Sequence, residues 1–137
     1  MEFNYARYGM EGIRKYGEYV SFIYEEEKLR VEFTNLQIQK KANALANALK
    51  DSGVKPGDVV AVVLPNGPAV PVVFTAIFKM GAVFLPVIFA LTAPEIRYIL
   101  EDSRANTIVT EESLIPKIEE ARQGLGGIRN LIVTNPG

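Results

Sequence analysis

The sequence predicts an α/β fold in which a mostly parallel β-sheet is flanked by helices and preceded by an N-terminal helix and a β-hairpin. Short apolar runs rich in β-branched residues alternate with segments whose apolar residues recur at helical spacing. Strands that alternate with helices of about three turns favour a parallel sheet, because each helix carries the chain back across a face of the sheet. A chain of 137 residues that is 48% hydrophobic is also large and apolar enough for one ordered core.

The first elements are a helix and a hairpin. A helix is predicted over about Asn4 to Tyr16, and Gly17 ends it. The segments "YVSFIYEE" and "KLRVEFT" then indicate two antiparallel strands around an acidic turn at Glu26 to Lys28.

The next unit is a helix followed by a strand. "TNLQ" at Thr34 to Gln37 has capping-box spacing and predicts the helix start, and Gly53 stands where a C′ glycine ends a helix. "KPGD" at Lys55 to Asp58 places Pro and Gly at the centre of a type II turn that leads into the strand "VVAVVL". The apolar stripe of the helix consists mostly of small residues that allow close packing on a sheet: Leu36, Ala42, Leu45, Ala46 and Leu49.

The stretch from Ala69 to Leu91 is long enough to span a bilayer and contains one charge, Lys79. That lysine would lie near the bilayer centre at a cost of about 2.5 to 3.5 kcal/mol, and Gly81 and Pro86 would interrupt the helix. We therefore expect two elements: a helix that ends at "KMG", with a basic last turn and a C′ glycine, and a strand "AVFLPVI" covered on both faces.

The last units repeat the alternation. "TAPE" at Thr92 to Glu95 has capping-box spacing and predicts a helix, which the short strand "NTIVT" follows. "EESLIPKIEEARQ" is expected to be helical with Pro116 in its first turn, since proline is tolerated there, and "RNLIVT" is the final strand.

Composition excludes several classes of function. Fifteen basic and sixteen acidic residues give a net charge of -1 with no basic block interleaved with aromatic residues, so we expect no nucleic-acid partner. The chain has no Cys and no His, which removes thiolate nucleophiles, zinc-thiolate sites and the commonest general base. The segment "MEFNYARYGMEGIRKYG" lacks a basic region followed by an apolar one, so a cytoplasmic location is expected.

"PNGP" at Pro65 to Pro68 lies between a strand and a helix, where many nucleotide-binding proteins hold a phosphate. Such a loop needs several converging backbone N–H groups and usually a Lys or hydroxyl side chain. Two of these four residues are prolines, and no Lys, Ser or Thr follows in the first helical turn. We therefore interpret Asn66 as the helix N-cap, with Pro68 in the first turn.

The remaining candidate groups are better explained by structure than by chemistry. "GLGG" at Gly124 to Gly127 lies between a helix and a strand, the reverse of the dinucleotide-binding order, and is interpreted as a loop. The run Glu25 to Glu27 is interpreted as a solvated turn rather than a metal site. Three acidic pairs are interpreted as helix ends and solvated faces: Glu101/Asp102, Glu111/Glu112 and Glu119/Glu120. Four tyrosines are expected to fasten the terminal helix rather than stack on a ligand: Tyr5, Tyr8, Tyr16 and Tyr19. The residues alone therefore assign no catalytic, cofactor-binding or metal-binding position.

Four segments in a fixed order carry a family resemblance. They are the Ala- and Leu-rich capped helix after "FTNLQ", then "GVKPGDVVAVVLPN", "KMGAVFLPV" and "LTAPEIRYILEDSRANTIVT". Together they resemble the N-terminal part of the AMP-forming adenylate enzymes: acyl- and aryl-CoA synthetases, luciferases and the adenylation domains of peptide synthetases. The resemblance covers nearly the whole chain.

The resemblance implies an enzyme that uses ATP and Mg²⁺ to convert a carboxylic acid to an acyl-adenylate and then transfers the acyl group to CoA. The family's Ser/Thr/Gly-rich phosphate loop, its adenine- and ribose-binding motifs and its catalytic lysine are all expected beyond Gly137, so no site residue is assigned here. Residues 1–137 are expected to form a single domain, a partial N-terminal subdomain of the acyl-CoA synthetase fold. It would comprise a helix plus hairpin over 1–33 and helix/strand units over 34–137.

One segment departs from the family pattern. Where many members read Pro-Leu-Asn-Pro, this chain has Pro86, Val87, Ile88 and Phe89, which is similar to the short- and medium-chain acyl and benzoate branches. A fatty acyl-CoA ligase is expected as the broadest class, and the alternative is a non-catalytic binding or interaction module on the same scaffold. The chain alone is expected to be inactive. It is also expected to self-associate, through apolar surface that the remainder of the enzyme would cover.

Overall fold

A computed structural model describes residues 4–134 and confirms the predicted order of elements. The N-terminal helix and the hairpin come first, and helices and strands then alternate to the end of the described residues. The elements are α1 (Tyr5–Tyr16), β1 (Val20–Glu26), β2 (Leu29–Thr34), α2 (Asn35–Asp51), β3 (Val59–Val63), α3 (Ala69–Lys79), β4 (Val83–Val87), α4 (Ala93–Ser103), β5 (Thr107–Glu111), a 3₁₀ turn (Glu112–Leu114), α5 (Ile115–Arg122) and β6 (Asn130–Thr134).

The predicted parallel sheet is confirmed. Its strand order is β4-β3-β5-β6, and each neighbouring pair is parallel. β1 and β2 form a separate antiparallel hairpin. Helices α2 and α3 pack on one face of the sheet, and α4 and α5 pack on the other.

Each face of the sheet has its own apolar core, because successive side chains of a strand point to opposite faces. In β3, Val60 and Val62 point toward α2 and α3, whereas Ala61 and Val63 point toward α4 and α5. In β5, Val109 and Ile108 divide in the same way. The two central strands are therefore buried on both faces, which explains why their sequences are continuous apolar runs.

Local signals fix where the helices begin. The Thr34 hydroxyl accepts a hydrogen bond from the Gln37 N–H at 3.1 Å, and the Gln37 side chain accepts one from the Thr34 N–H at 2.9 Å, so this capping box is confirmed. The Glu95 carboxylate accepts from the Thr92 hydroxyl at 2.7 Å and from the Thr92 N–H at 2.8 Å. These two hydrogen bonds lower the pKa of Glu95 because they favour its charged form.

The stretch from Ala69 to Leu91 divides as predicted. Helix α3 ends at Lys79, and β4 begins at Val83. Within residues 4–134, every helix is too short or too polar to cross a bilayer.

The strand "AVFLPVI" contributes to both cores, through Phe84 on one face and Leu85 and Val87 on the other, but its cover is incomplete because the strand lies at an edge. β4 pairs only with β3 and forms an edge of the described sheet, with Val83 49% exposed and Pro86 exposed. The Val83 N–H donates to the Asp58 carbonyl of the neighbouring segment at 2.8 Å, so the nitrogen of Pro86, at an odd spacing from Val83, faces the open edge. An apolar run does not by itself separate a central strand from an edge strand, but a proline inside it favours an edge.

Two glycines meet where the loops before β3 and β4 touch. Gly57 (φ 84°) occupies the left-handed position of the predicted type II turn, which the Asp58 N–H closes on the Lys55 carbonyl at 3.1 Å. The Gly57 N–H donates to the Gly81 carbonyl at 2.9 Å, and Gly81 itself has φ 66° as the C′ residue of α3. A Cβ on Gly81 would lie 3.5 Å from Pro56 Cβ, an ordinary contact, so backbone conformation rather than space requires glycine there.

We expect Gly81→Ala to lower the free energy of unfolding by about 1–2 kcal/mol, because the left-handed conformation is unfavourable for a residue with a Cβ. Gly12→Ala is the matched control: Gly12 lies inside α1, and a Cβ there would meet no atom within 4 Å. That change is expected to leave stability unchanged or raise it by up to about 1 kcal/mol. Urea unfolding of both variants measures the difference, and equal effects would contradict the assignment of strain to Gly81.

Candidate functional site

The carboxyl ends of the four parallel strands meet at one edge of the sheet, which we call the carboxyl edge. From β3 the chain leads to α3 on one face, and from β5 it leads through the 3₁₀ turn to α5 on the other. Strands β3 and β5 are neighbours, so a topological switch point lies between their ends. Ligands of open α/β sheets bind in the crevice at such a point. A ligand-binding site is therefore expected at the loops over residues 64–68 and 111–114.

The prediction that Asn66 caps α3 is wrong. The helix begins at Ala69, Pro68 occupies the N-cap position, and no side chain caps this end. Asn66 lies two residues before the cap, too early for its side chain to reach the first free N–H groups of the helix, and it is exposed. The Val70 N–H instead donates to the Gly67 carbonyl at 3.2 Å. The helix begins later than predicted because Pro68 can occupy the N-cap position: its fixed φ suits the start of a helix, and it has no N–H that needs a capping partner.

Threonines connect the strand ends at this edge. The buried Thr110 hydroxyl donates to the Val63 carbonyl at 2.9 Å, which joins β5 to β3, and the Thr134 hydroxyl donates to the Thr110 carbonyl at 3.2 Å. The Ser113 hydroxyl donates to the Glu111 carboxylate. The hydroxyl groups of these residues therefore already have hydrogen-bond partners within the edge. The threonines within "NTIVT" and "NLIVT" were the available sequence signal, because a hydroxyl in an apolar strand needs a partner when buried.

Lys117 is a residue at this edge that sequence reasoning missed. Its ammonium donates to the Phe89 carbonyl at 2.8 Å and so ties the start of α5 to the loop after β4. Phe89 and its neighbour Ile88 are themselves exposed, and Ile88 is 67% exposed. The contact joins residues 28 positions apart, so no local sequence pattern predicts it.

The described residues do not fit the phosphates of a nucleotide or a metal ion at the carboxyl edge. Pro65 and Pro68 remove two of the N–H donors that a phosphate loop would need, and Lys117 already donates to a carbonyl. Within residues 4–134, His, Cys, Asp and Glu side chains nowhere gather in a group of three that could hold a metal. No catalytic step is therefore derived from these side chains.

The acidic pairs do not converge in a cleft. Glu101 lies 3.4 Å from Arg97 on α4, and Glu119 lies 2.7 Å from Arg122 on α5, both as ion pairs within one helix. The bonded Arg122 guanidinium lowers the pKa of Glu119, which opposes a role as a proton donor. Of the residues in these pairs, Glu111 and Glu112 lie at the carboxyl edge.

The other candidate groups also lie apart from this edge. In the hairpin, Glu25 of β1 pairs with Arg30 of β2 at 3.2 Å, and Glu26 accepts from the Tyr24 hydroxyl, which raises the pKa of Tyr24. The tyrosine prediction is confirmed for Tyr5, whose ring packs on α3 with its centroid 5.5 Å from that of Phe74. The exposed tyrosines Tyr8, Tyr16 and Tyr19 are not buried against the sheet. "GLGG" is confirmed as the loop between α5 and β6.

Comparison with known proteins identifies the scaffold. The model of the family described as "AMP-binding enzyme" matches residues 11–135. The chain belongs to the AMP-binding enzyme family. This confirms the resemblance that the four sequence segments carry.

Relatives of different specificity share the scaffold. The chain is 32% identical over 104 residues to tyrocidine synthase 2 of Brevibacillus parabrevis, and 36% identical over 94 residues to the human mitochondrial acyl-coenzyme A synthetase ACSM5; these matches cover 76% and 69% of the chain. The solved anthranilate CoA ligase AuaEII, in complex with anthranoyl-AMP, superposes with a TM-score of 0.85 over 96% of the chain at 26% identity. The chain spans only 3%, 16% and 25% of these AMP-binding enzymes respectively.

Proposed function

We propose that this chain is the N-terminal scaffold of an ATP-dependent, AMP-forming carboxylic acid–CoA ligase with fatty acids as its substrate class. The observation that carries the proposal is the family match over residues 11–135, on a sheet whose carboxyl edge holds no set of catalytic donors among the described residues. In this proposal residues 1–137 form one unit of a larger AMP-binding domain, and the enzyme acts in the cytoplasm.

The choice of an acyl-CoA ligase rather than a peptide synthetase rests on two points. The human acyl-CoA synthetase has the higher percentage identity to this chain, 36% over 94 residues against 32% over 104 residues for tyrocidine synthase 2. The loop after β4 also presents exposed apolar side chains, Ile88 and Phe89, at the edge where ligands of α/β sheets bind. An apolar lining there supports an apolar acid as substrate.

The remaining catalytic parts are assigned to the rest of the parent enzyme. ATP, Mg²⁺, CoA and the acid would be held chiefly by residues outside this chain, because the described residues at the carboxyl edge offer neither a phosphate cradle nor a metal-ligand group. The role left to this chain is to form the sheet and the switch point on which those residues assemble. Taken alone, it is expected to be catalytically inactive.

The coding sequence around these 137 codons tests the proposal. We expect the reading frame to continue into a Ser/Thr/Gly-rich phosphate loop and, several hundred codons later, a catalytic lysine. The product of the whole gene should then catalyse acid-dependent ATP–pyrophosphate exchange and prefer fatty acids to aromatic acids. A natural stop codon directly after the codon for Gly137 would contradict the proposal and favour the non-catalytic interaction module.

We also propose that the 137-residue chain self-associates when it is studied alone. The edge strand β4 pairs on one side only, and Val83, Ile88 and Phe89 expose apolar surface along or just beyond it. Light scattering at high protein concentration should report a dimer or larger species, and Ile88→Lys should shift it toward the monomer. Tyr98→Lys, at an equally exposed site on α4, is the control and should leave the mass unchanged. A strictly monomeric wild-type chain would contradict self-association.

A further inference from the structure

A groove of about 450 Å³ lies between α1 and α3. One side of α1 and Lys79 of α3 form its walls. Because α3 leads from the carboxyl end of β3 to the amino end of β4, Lys79 at its last turn lies at the edge of the sheet opposite the carboxyl edge. The groove is therefore separate from the carboxyl edge.

The groove is positively charged. Arg7, Arg14 and Lys79 line it, and among the described residues that line it Glu11 is the one carboxylate, which leaves two positive charges in excess within this set. The chain as a whole has a net charge of -1, so this surplus is local. Met10 adds an apolar side chain to the same wall.

Two of the three cations lack a counter-ion within the described residues. Arg7 lies 3.9 Å from Glu11, one turn away on the same helix. Among residues 4–134, neither Arg14 nor Lys79 forms an ion pair or a side-chain hydrogen bond. Lys79 is also partly buried, and this burial lowers the pKa of its ammonium because the charged form loses hydration that no anion replaces.

Favourable interaction with helix dipoles explains only part of this pattern. Arg14 and Lys79 each lie in the last turn of a helix, where a cation is stabilised. Arg7 lies in the first turn of α1, where the dipole disfavours a cation. The dipoles also give no reason for cations of two helices, 65 residues apart in sequence, to face the same groove.

We propose that this groove binds a phosphate group, carried either by a soluble phosphate ester or by a lipid headgroup. A phosphate monoester carries a charge of about −1.5 to −2 at neutral pH, which matches the surplus of the groove. The guanidinium groups of Arg7 and Arg14 can each donate two parallel hydrogen bonds to phosphate oxygens, and the Lys79 ammonium adds a compact charge. Met10 would contact the apolar part of the ligand. The proposal does not depend on the proposed function, since it uses none of the carboxyl-edge residues.

Three charge-neutralising variants of the full 137-residue chain test the site. Lys79→Gln and Arg14→Gln each remove one groove cation. Lys15→Gln is the matched control: it removes the same charge from the same last turn of α1, but Lys15 lies over the Tyr16 ring, 5.0 Å from its centroid, and outside the groove. Because none of the three side chains is fully buried, the variants should fold, and circular dichroism verifies this.

The first probe is inorganic phosphate, titrated at low salt while backbone amide NMR shifts are recorded. We expect saturable shifts around Arg7, Arg14 and Lys79, with affinity reduced about tenfold or more by either groove variant because a charge-assisted hydrogen bond is lost. Lys15→Gln should change affinity by less than about twofold, as expected for a distant surface charge.

The second probe is vesicle binding, which separates the two sources of phosphate. Vesicles of phosphatidylcholine with phosphatidic acid are compared with vesicles of phosphatidylcholine alone. Binding that requires phosphatidic acid and is lost in Lys79→Gln supports a lipid headgroup, whereas binding of inorganic phosphate without vesicle binding supports a soluble ester. The proposal is overturned if neither probe binds, or if Lys15→Gln weakens binding as much as Lys79→Gln does.

Discussion

Replacing Ile108 by Ala is expected to lower the free energy of unfolding by about 4 kcal/mol. Ile108 is fully buried (0% exposed) in β5, which is paired on both sides with β3 and β6. Its side chain belongs to the core under α4 and α5, together with Ile96, Leu100 and Ile118. A strand held by two neighbours cannot move inward to fill the space, so the substitution should leave most of the cavity open and incur its full cost.

Urea unfolding measures this change, and Ile88→Ala is the matched control. The control deletes the same atoms from a side chain that is 67% exposed, and it should change stability by less than about 0.5 kcal/mol. The slope of unfolding free energy against urea concentration should be unchanged in both variants. If Ile108→Ala cost no more than Ile88→Ala, the placement of β5 at the centre of the sheet would be wrong.

Replacing Leu49 by Ala is expected to lower the free energy of unfolding by about 3 kcal/mol. Leu49 is the large side chain of α2 that is fully buried (0% exposed), and Ala42 and Ala46 belong to the same core. The alanines allow α2 to lie close to its neighbours, so Leu49 supplies much of the apolar contact of this helix with the core that also contains Ile77 of α3. A helix on the outside of the sheet can shift slightly toward the cavity, and we therefore expect a smaller loss than for Ile108.

Leu29→Ala is the control for this second substitution, because Leu29 lies in the hairpin and is 52% exposed. It should alter stability by less than about 1 kcal/mol. Leu49 and Ile108 belong to cores on opposite faces that share no member, so their separate effects should add to within about 0.5 kcal/mol. Strong non-additivity would indicate that the two faces do not form separate cores.

Local chemistry explains why much of this fold could be predicted from sequence. The Thr34 and Thr92 capping boxes, the type II turn at Gly57 and the C′ glycine at Gly81 each depend on residues within four positions of one another, and all four occur where predicted. The parallel sheet followed from the alternation of strands with helices, which leaves few ways to connect the chain.

The errors involve information that is not local. An edge strand such as β4 differs from a central one only in what lies beside it, and Pro86 was the one clue in its sequence. The prediction that Asn66 is the N-cap was wrong because the helix begins after Pro68 without a side-chain cap. The Lys117 contact with Phe89 and the convergence of Arg7, Arg14 and Lys79 depend on how distant elements pack, and no spacing in the sequence encodes them.

Acid-dependent exchange of labelled pyrophosphate into ATP tests most directly the central claim that this chain is the scaffold of a ligase without its reactive machinery. The purified 137-residue chain is incubated with ATP, Mg²⁺ and a panel of fatty and aromatic acids, with an intact acyl-CoA ligase as positive control. Exchange is a better measure than nucleotide binding, because the proposed phosphate groove between α1 and α3 could bind the phosphate groups of ATP without activating an acid. We predict exchange at the level of the blank with every acid. Robust exchange that depends on one of the acids would contradict the claim.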